Sequence, residues 1–400
     1  MSEVVVDPGR FRSDFDAVQA GEAAPWAKKL RAGAYARFEA LGFPKRKDEA
    51  WRNLNLAALE RIPHRAGKPG IHLVHRPEGV QVEPLADVLV GDPSRLGTIA
   101  VDDEHPFLAL NTALMHHGLR IRIPEGLEVA DPIHVLFEGG DGTDPTAVHP
   151  RLLVEVGTGA SATLVEEYAG TDGSRLWTNA VTEIAVAENA SLRHHRIQRD
   201  AVTAFHVGVA AVRLERDASY RSTSIALGGG LARLDLRVAL AGPGADCGLD
   251  GLFTPAGKQV VDHHTYIDHL AEHTTSRQLY KGILADSSRG VFNGRIFIHE
   301  GAQKTVAEQS NQNLLLSERA LVHTNPQLRI YADDVKCRHG ATVGQVDRNK
   351  LFYLRTRGLD EAAAREILVR AFASEILARV GEQDLRERLE RLLVERFFDA

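Results

Sequence analysis

The chain has 400 residues, 44% of them hydrophobic, a formal charge of −6 and only two cysteines. That length exceeds one ordinary core and predicts two or three domains, while the mildly negative charge lacks the electrostatic footprint of a nucleic-acid binder. One potential cysteine pair in so long a chain is the usage of a reducing compartment, so Cys247 and Cys337 read as thiols and not as a disulfide framework.

The opening MSEVVVDPGRFRSDFD lacks the basic and apolar regions of a secretory signal. No later stretch approaches the roughly 20 apolar residues of a membrane span, so the expectation is a cytoplasmic chain without membrane or nucleic-acid partners. Residues 24–41 place Trp26, Leu30, Ala34, Phe38 and Leu41 at three- to four-residue spacing, a helix face that ends at Gly42 and Pro44. Trp51 interrupts the charged run KRKDEAWRNL and reads as a hydrophobic anchor. Between residues 71 and 135 short strands alternate with a helix around 107–117. Residues 1–150 are therefore expected to form an α/β region, helical at its start.

From residue 151 the pattern changes to short alternating strands. Leu234, Leu236, Val238 and Leu240 fall on one face, with Arg233, Asp235 and Arg237 on the other. Leu152, Val154 and Val156 repeat the pattern, as do Ile184 and Val186. Turn-like pairs recur at Gly159-Ala160, Asn189-Ala190, Asp217-Ala218, Gly244-Ala245, His273-Thr274 and Gly301-Ala302, roughly 27–30 residues apart, the interval of a stacked repeat. A coil with a single inward face cannot bury it alone and gains stability from the next coil. Residues 151–347 are thus expected to form a β-solenoid (β-helix) in preference to a sandwich, and the chain to be mainly β with α-helical ends.

Residues 348–400 read as a helical domain. Asp360 is an N-cap candidate, and Ala364, Leu368, Phe372 and Ile376 recur every four residues, with Ile367 and Ala371 widening the stripe. Gly381 ends that helix, and Asp384 starts a second with Leu385, Leu389 and Leu392 on its apolar face. Two helices of this size cannot bury both stripes by themselves, so they must pack on the β domain or on another protein.

Chemistry concentrates in YADDVKCRHGATVG, residues 331–344. Cys337 and His339 are two apart, so on a strand both side chains leave by one face. A zinc site needs three or four protein ligands and this pair supplies two, the remainder coming from elsewhere in the fold or from another chain. Lys336 and Arg338 flank the thiol and are expected to lower its pKa. Asp333 and Asp334 contribute an acidic field or serve as turn residues. A second segment, His269-Leu270-Ala271-Glu272-His273, spells the inverted zinc-hydrolase motif, which works only on a helix. Here it falls on the repeat period, where a strand and turn are expected. The doublets His116-His117 and His194-His195 receive no role. The chain shows no phosphate-binding loop, dinucleotide fingerprint or nucleophile elbow, which points to a non-catalytic scaffold.

The run DDVKCRHGATVGQVD, continued by LFYLRTRGL, resembles the SufB/SufD family of iron–sulfur cluster assembly proteins. GFPKRKDEAWRNL, HHTYIDH, SRQLYKG, GVFNGRIFI, AQKTVAEQSNQNLLLS and TNPQL precede it in order, so the likeness spans about residues 40–380. The Cys-x-His form is that of the SufD type. The resemblance implies an N-terminal helical region, a central β-helix and a C-terminal helical domain. It further implies pairing with a SufB-like subunit edge to edge through the β-helix ends, with a homodimer through the same edge when the chain is alone. The C-terminal helices would dock a SufC-like ABC-type ATPase, giving Leu359, Ile367, Leu368, Phe372 and Ile376 a partner. Cys337 and His339 would lie where a nascent iron–sulfur cluster assembles transiently between the two chains, with no cofactor held tightly by this chain. The rival readings are a zinc hydrolase using His269, Glu272 and His273, and a purely architectural ATPase-docking subunit with an inert Cys337.

Overall fold

Alternating side chains sort the middle of the chain into two facing sheets. The computed structural model describes residues 8–22, 24–91, 96–101, 104–139 and 144–398. One sheet runs from Gln81–Pro84 through Gly118–Ile123, Arg151–Val156, Leu176–Val186, Phe205–Leu214, Leu231–Leu240, Val260–His269 and Arg289–Ile298 to Leu321–Ile330. The other runs from Gly70–His75 through Ile133–Gly139, Ser161–Gly170, Ser191–Arg199, Ser219–Ala226, Asp246–Phe253, Thr275–Leu284 and Val306–Leu315 to Lys336–Gln345. Each coil contributes one strand to each sheet, and successive coils stack in parallel, giving a β-solenoid of eight coils as the repeat period predicts.

The turn residues explain that period. Gly159, Asn189, Asp217, Gly244, His273 and Lys304 all adopt left-handed backbone conformations. The N–H of each donates to a carbonyl in the turn of the next coil, from Gly159 to Glu188 (2.9 Å) through His273 to Gln303 (2.8 Å) and Lys304 to Asp334 (2.7 Å). Only glycine takes this conformation without steric cost, and Asn and Asp tolerate it, which accounts for four of the six. The residue that follows turns inward and is small and buried: Ala160, Ala190, Ala218, Ala245, Thr274 and Thr305. The sixth position differs from the sequence expectation. The turn after Arg289–Ile298 is longer, so Lys304, not Gly301, takes the left-handed place.

The two ends of the solenoid are unlike. At the first end Gly70–His75 and Gln81–Pro84 close the sheets with antiparallel pairing. At the other, Leu321–Ile330 and Lys336–Gln345 each pair on one side only.

Helices cover the outer face of each sheet. On the first sheet lie α1 (Arg12–Gly21), α2 (Pro25–Leu41), α3 (Ala57–Arg61), α4 (Leu85–Val90) and α5 (Pro106–Leu114). Gly42 caps α2 with positive φ, as expected from its sequence. Aromatic rings cluster on Trp177, whose ring centroid lies 5.5 Å from that of Phe107, 5.7 Å from Phe11 and 6.0 Å from Phe43. Buried charges fix the seat. Arg151 pairs with Glu183 at 2.6 Å and donates to Asn111 and Thr112 of α5, while Glu183 accepts the N–H groups of Gly97, Ile99 and Ala100. Arg233 bridges Asp235 and Asp262, donates to the Ala50 carbonyl and stacks 3.8 Å above the Trp51 ring, so the anchoring tryptophan is held by a cation as well as by burial.

Three C-terminal helices follow, α6 (Arg348–Thr356), which packs on α7, and α7 (Glu361–Leu377) and α8 (Gln383–Phe398), which cover the second sheet. Asp360 caps α7 by accepting from the Ala363 N–H. Val369, Ala373, Ile376, Leu377 and Val380 pack on Val165, Ile197, Ile225, Leu252 and Ile283. The buried stripe is rotated from the one expected, because apolar and charged residues are both spread around α7 and spacing alone does not choose the face. Arg388–Glu167 (2.7 Å), Arg379–Asp250 (2.6 Å) and Lys281–Glu375 (2.6 Å) tie the helices to the sheet. Burial alone would raise the Glu167 pKa, but His134, Arg388 and Arg199 outweigh it and hold the carboxylate well below its ordinary value. No helix among the described residues is long and apolar enough to cross a membrane.

Burial lowers the pKa of several histidines, four of which are His64 and His269, to about 4, and His149 and His263, to about 3. They stay neutral when folded and protonate near pH 6.5 when unfolded. Their contribution is therefore complete above pH 6.5 and is lost as pH falls, at a slope of up to about 5 kcal/mol per pH unit for four protons. Urea midpoints should drop steeply between pH 6.5 and 5; a midpoint flat to pH 4.5 would contradict this account.

Candidate functional site

The C-x-H pair lies on the final strand, Lys336–Gln345, and its register explains which way it faces. Cys337 stands beside Ala307, and the same column continues back through Ser276, Cys247 and Tyr220, all of them buried. His339 stands beside Gln309, in the column of Gln278, Leu249 and Ser222, also buried. Both side chains thus occupy lumen-facing columns, but in the last coil nothing lies beyond them. Cys337 is half-buried against the core and His339 is exposed. The His339 ring makes no hydrogen bond or ion pair among the described residues.

The charges around the pair act differently from their sequence order. Strand alternation sends Lys336 and Arg338 to the opposite face, where Arg338 pairs with Glu308 at 2.9 Å. Burial therefore dominates at the thiol and raises the Cys337 pKa, with a backbone hydrogen bond to Ala307 offsetting part of the rise. The expected lowering does not occur. Asp334 is a turn residue: its carboxylate pairs with Lys304 and its N–H donates to Gln303. Among the described residues no three His, Cys, Asp or Glu side chains converge as a metal site. The pair has the chemistry of a soft-metal site, a thiol and an imidazole on one face, but supplies only half of a donor set.

The hydrolase motif does not assemble. His269 ends a strand and is buried, with Nδ1 2.7 Å from Thr274 Oγ1 and Nε2 2.9 Å from Ser276 Oγ, while Glu272 and His273 sit exposed in the turn. Both ring nitrogens of His269 are occupied, and the segment has no helical turn to bring His273 beside it. The doublet His194-His195 does have a place. Its rings alternate across the sheet, His194 bridging Glu166 and Tyr220 in the lumen and His195 meeting Glu382 before α8. His194, Arg196 and Tyr168 overcome the effect of burial and lower the Glu166 pKa to about 2.

Of the residues expected to meet a partner, Ile376 is fully buried against the solenoid and is therefore not presented by this chain. Leu359, Leu368 and Phe372 are half-buried, Phe372 lying under Lys281 at 4.7 Å, and Ile367 is exposed. Helix α6 falls within the region expected to be helical, but the sequence expectation gave its exposed rings no role. It has no buried residue and presents Phe352 and Tyr353, 69% and 56% exposed. It also begins only two residues after the strand that carries Cys337 and His339. LFYL without a polar partner face was the available signal.

Fold and site together define a β-solenoid protein with helices on both outer faces and a donor-bearing open edge. Residues 137–372 match the model of the SUF system FeS cluster assembly SufBD core domain. The chain is 37% identical to an iron–sulfur cluster assembly SufBD family protein of Synechocystis over 298 residues, 72% of this chain and 66% of that one. It is 32% identical to the iron–sulfur cluster assembly protein SufD of Escherichia coli over 372 residues, 87% and 88% of the two chains, and 28% identical to SufD of Bacillus subtilis over 292 residues, 72% and 66%. The chain belongs to the SufB/SufD family and within it to the SufD type.

The two thiols should separate cleanly by reactivity. Cys247 is fully buried, which raises its pKa far above the ordinary value, whereas Cys337 is half-exposed. A disulfide exchange reagent should label one thiol per native chain, faster as pH rises from 7 to 9, and the second only in denaturant. Loss of the fast phase in Cys337→Ser checks the assignment; a fast phase that survives it contradicts the geometry.

Proposed function

We propose that this chain is a scaffold subunit for iron–sulfur cluster assembly, one that pairs through its open solenoid end with a SufB-like chain and docks a SufC-like ATPase through its C-terminal helices. The nascent cluster is cargo, assembled between the two chains and held transiently, with Cys337 and His339 as this chain's two donors. The observation that carries the reading is their placement: a thiol and an imidazole on one face of an edge strand whose hydrogen-bonding side is unpaired. A second solenoid presenting its own edge would satisfy that strand and bring the missing donors in one step.

Two features support the docking half. Helix α6 exposes two adjacent aromatic rings, Phe352 and Tyr353, to solvent. Only Val346 and Asp347 separate it from the donor strand, and Asp347 caps it by accepting from the Asn349 and Lys350 N–H groups. Movement of α6 by an ATP-driven partner therefore reaches Cys337 and His339 through a short tether. The chain's own part is to hold and expose the donors; the ATPase supplies the work.

On a complex reconstituted with SufB-like and SufC-like partners, Cys337→Ala/His339→Ala should abolish cluster formation, followed by the visible absorbance of the cluster, while the three chains still co-purify. Wild-type yield would reduce this chain to an architectural docking subunit. Phe352→Ala/Tyr353→Ala should release the ATPase at least tenfold more readily without shifting the melting temperature of this chain, since neither ring is part of its core.

A further inference from the structure

The lumen-facing columns carry a polar chain that runs toward the open end. Gln278 Nε2 donates to Thr265 Oγ1 at 2.6 Å, and Gln309 Nε2 donates to Gln278 Oε1 at 2.6 Å. Gln309 is only 3% exposed, and its carbonyl oxygen is buried without a partner. A carboxamide offers a donor nitrogen and an acceptor oxygen that diverge within one plane, so the two can serve different neighbours. The nitrogen is committed to the preceding coil and the oxygen is not, and the register partner of Gln309 on the following coil is His339. The amide lies against the sheet opposite: a Cβ on Gly294 would overlap Gln309 Nε2, so a side chain there would push the amide from this position. An acceptor buried in this way costs about 1–3 kcal/mol until a donor reaches it.

We infer that Gln309 is a positioning residue for His339: its carboxamide oxygen accepts a hydrogen bond from one ring N–H and leaves the other ring nitrogen, with its lone pair, for the metal of the assembling cluster. A metal-ligating imidazole needs its second nitrogen held by an acceptor to fix tautomer and orientation, and loss of such an acceptor lowers metal affinity by about 10- to 100-fold. Cys337 requires no equivalent partner because it is set by its contacts with the core. The inference rests on His339 being a donor to the cluster, but the hydrogen bond itself exists or fails independently of that role.

The test is the imidazole nitrogen spectrum of the full chain labelled at its 18 histidines, with His339→Ala identifying the signal. His339 should show one dominant tautomer in the wild type and a mixture in Gln309→Met, which keeps length and burial but removes the acceptor. Gln309→Glu should restore a single tautomer. Gly294→Ala, which displaces the amide without changing it, should behave like Gln309→Met. An unchanged His339 tautomer in Gln309→Met overturns the inference, and so does release of the tautomer by Thr324→Val, whose partnerless buried hydroxyl is the competing donor on the last coil. In the reconstituted complex Gln309→Met should lower cluster yield at limiting iron and Gln309→Glu should recover it. If the tautomer responds to Gln309 but His339→Ala leaves the yield intact, the cluster-donor reading fails while the hydrogen bond stands.

Discussion

Inter-coil backbone hydrogen bonding is the constraint from which the rest of this molecule follows. Each coil has one inward face and two edges, and it is stable only when both edges are covered by neighbours in register. Stacking satisfies every interior coil and necessarily leaves a last one. At the first end the chain solves the problem itself, by folding two antiparallel strands across the sheets. At the other end it does not, and the two strands left with one neighbour are those that carry Cys337, His339, Leu321, Ile330 and Val343 on or near an open edge. The candidate site is thus a boundary of the repeat, not a cavity within it.

The outer faces are finished by different means. On the first sheet, aromatic packing around Trp177 supplies apolar burial while Arg151–Glu183 and the Arg233 cluster fix where the helices sit. Such buried pairs add little net stability over apolar residues, but one left without its partner is strongly unfavourable, so they discriminate against misplaced docking. On the second sheet the apolar stripe of α7 does most of the covering, with Glu167 joining His134, Arg199 and Arg388 at one point. The C-terminal helices therefore rest on the same sheet whose last strand bears Cys337 and His339. That arrangement couples the outer layer to the open edge through one rigid element and one short tether.

Much of this was legible from the residues. Left-handed turn positions announce themselves as Gly, Asn and Asp at a fixed interval, and alternation gives the inward face of each strand. What failed were inferences from adjacency. Lys336 and Arg338 neighbour Cys337 in the chain, but a strand sends consecutive side chains to opposite faces, so burial and not charge governs the thiol. Gly301 has the turn composition, but two extra residues in that turn pass the left-handed conformation to Lys304. The face of α7 was ambiguous because apolar and charged residues alternate around the helix without a clear stripe, and only the shape of the sheet beneath selects one side. Gln309 was overlooked because its meaning lies in the coils on either side, although the spacing from Gln278 to Gln309 to His339 follows the repeat itself.

The left-handed turn ladder makes the solenoid a spacer of quantised length. With strands about 4.8 Å apart, the eight coils hold the final strand about 34 Å from the first. Insertion or loss of a whole coil would translate the thiol and imidazole by one such step and keep them pointing inward. A single-residue insertion in a strand would instead turn them outward, because side chains alternate with a period of two. The distance from the closed end to Cys337 and His339 can therefore change only in steps of one coil, while the orientation of the two side chains is preserved at every permitted length.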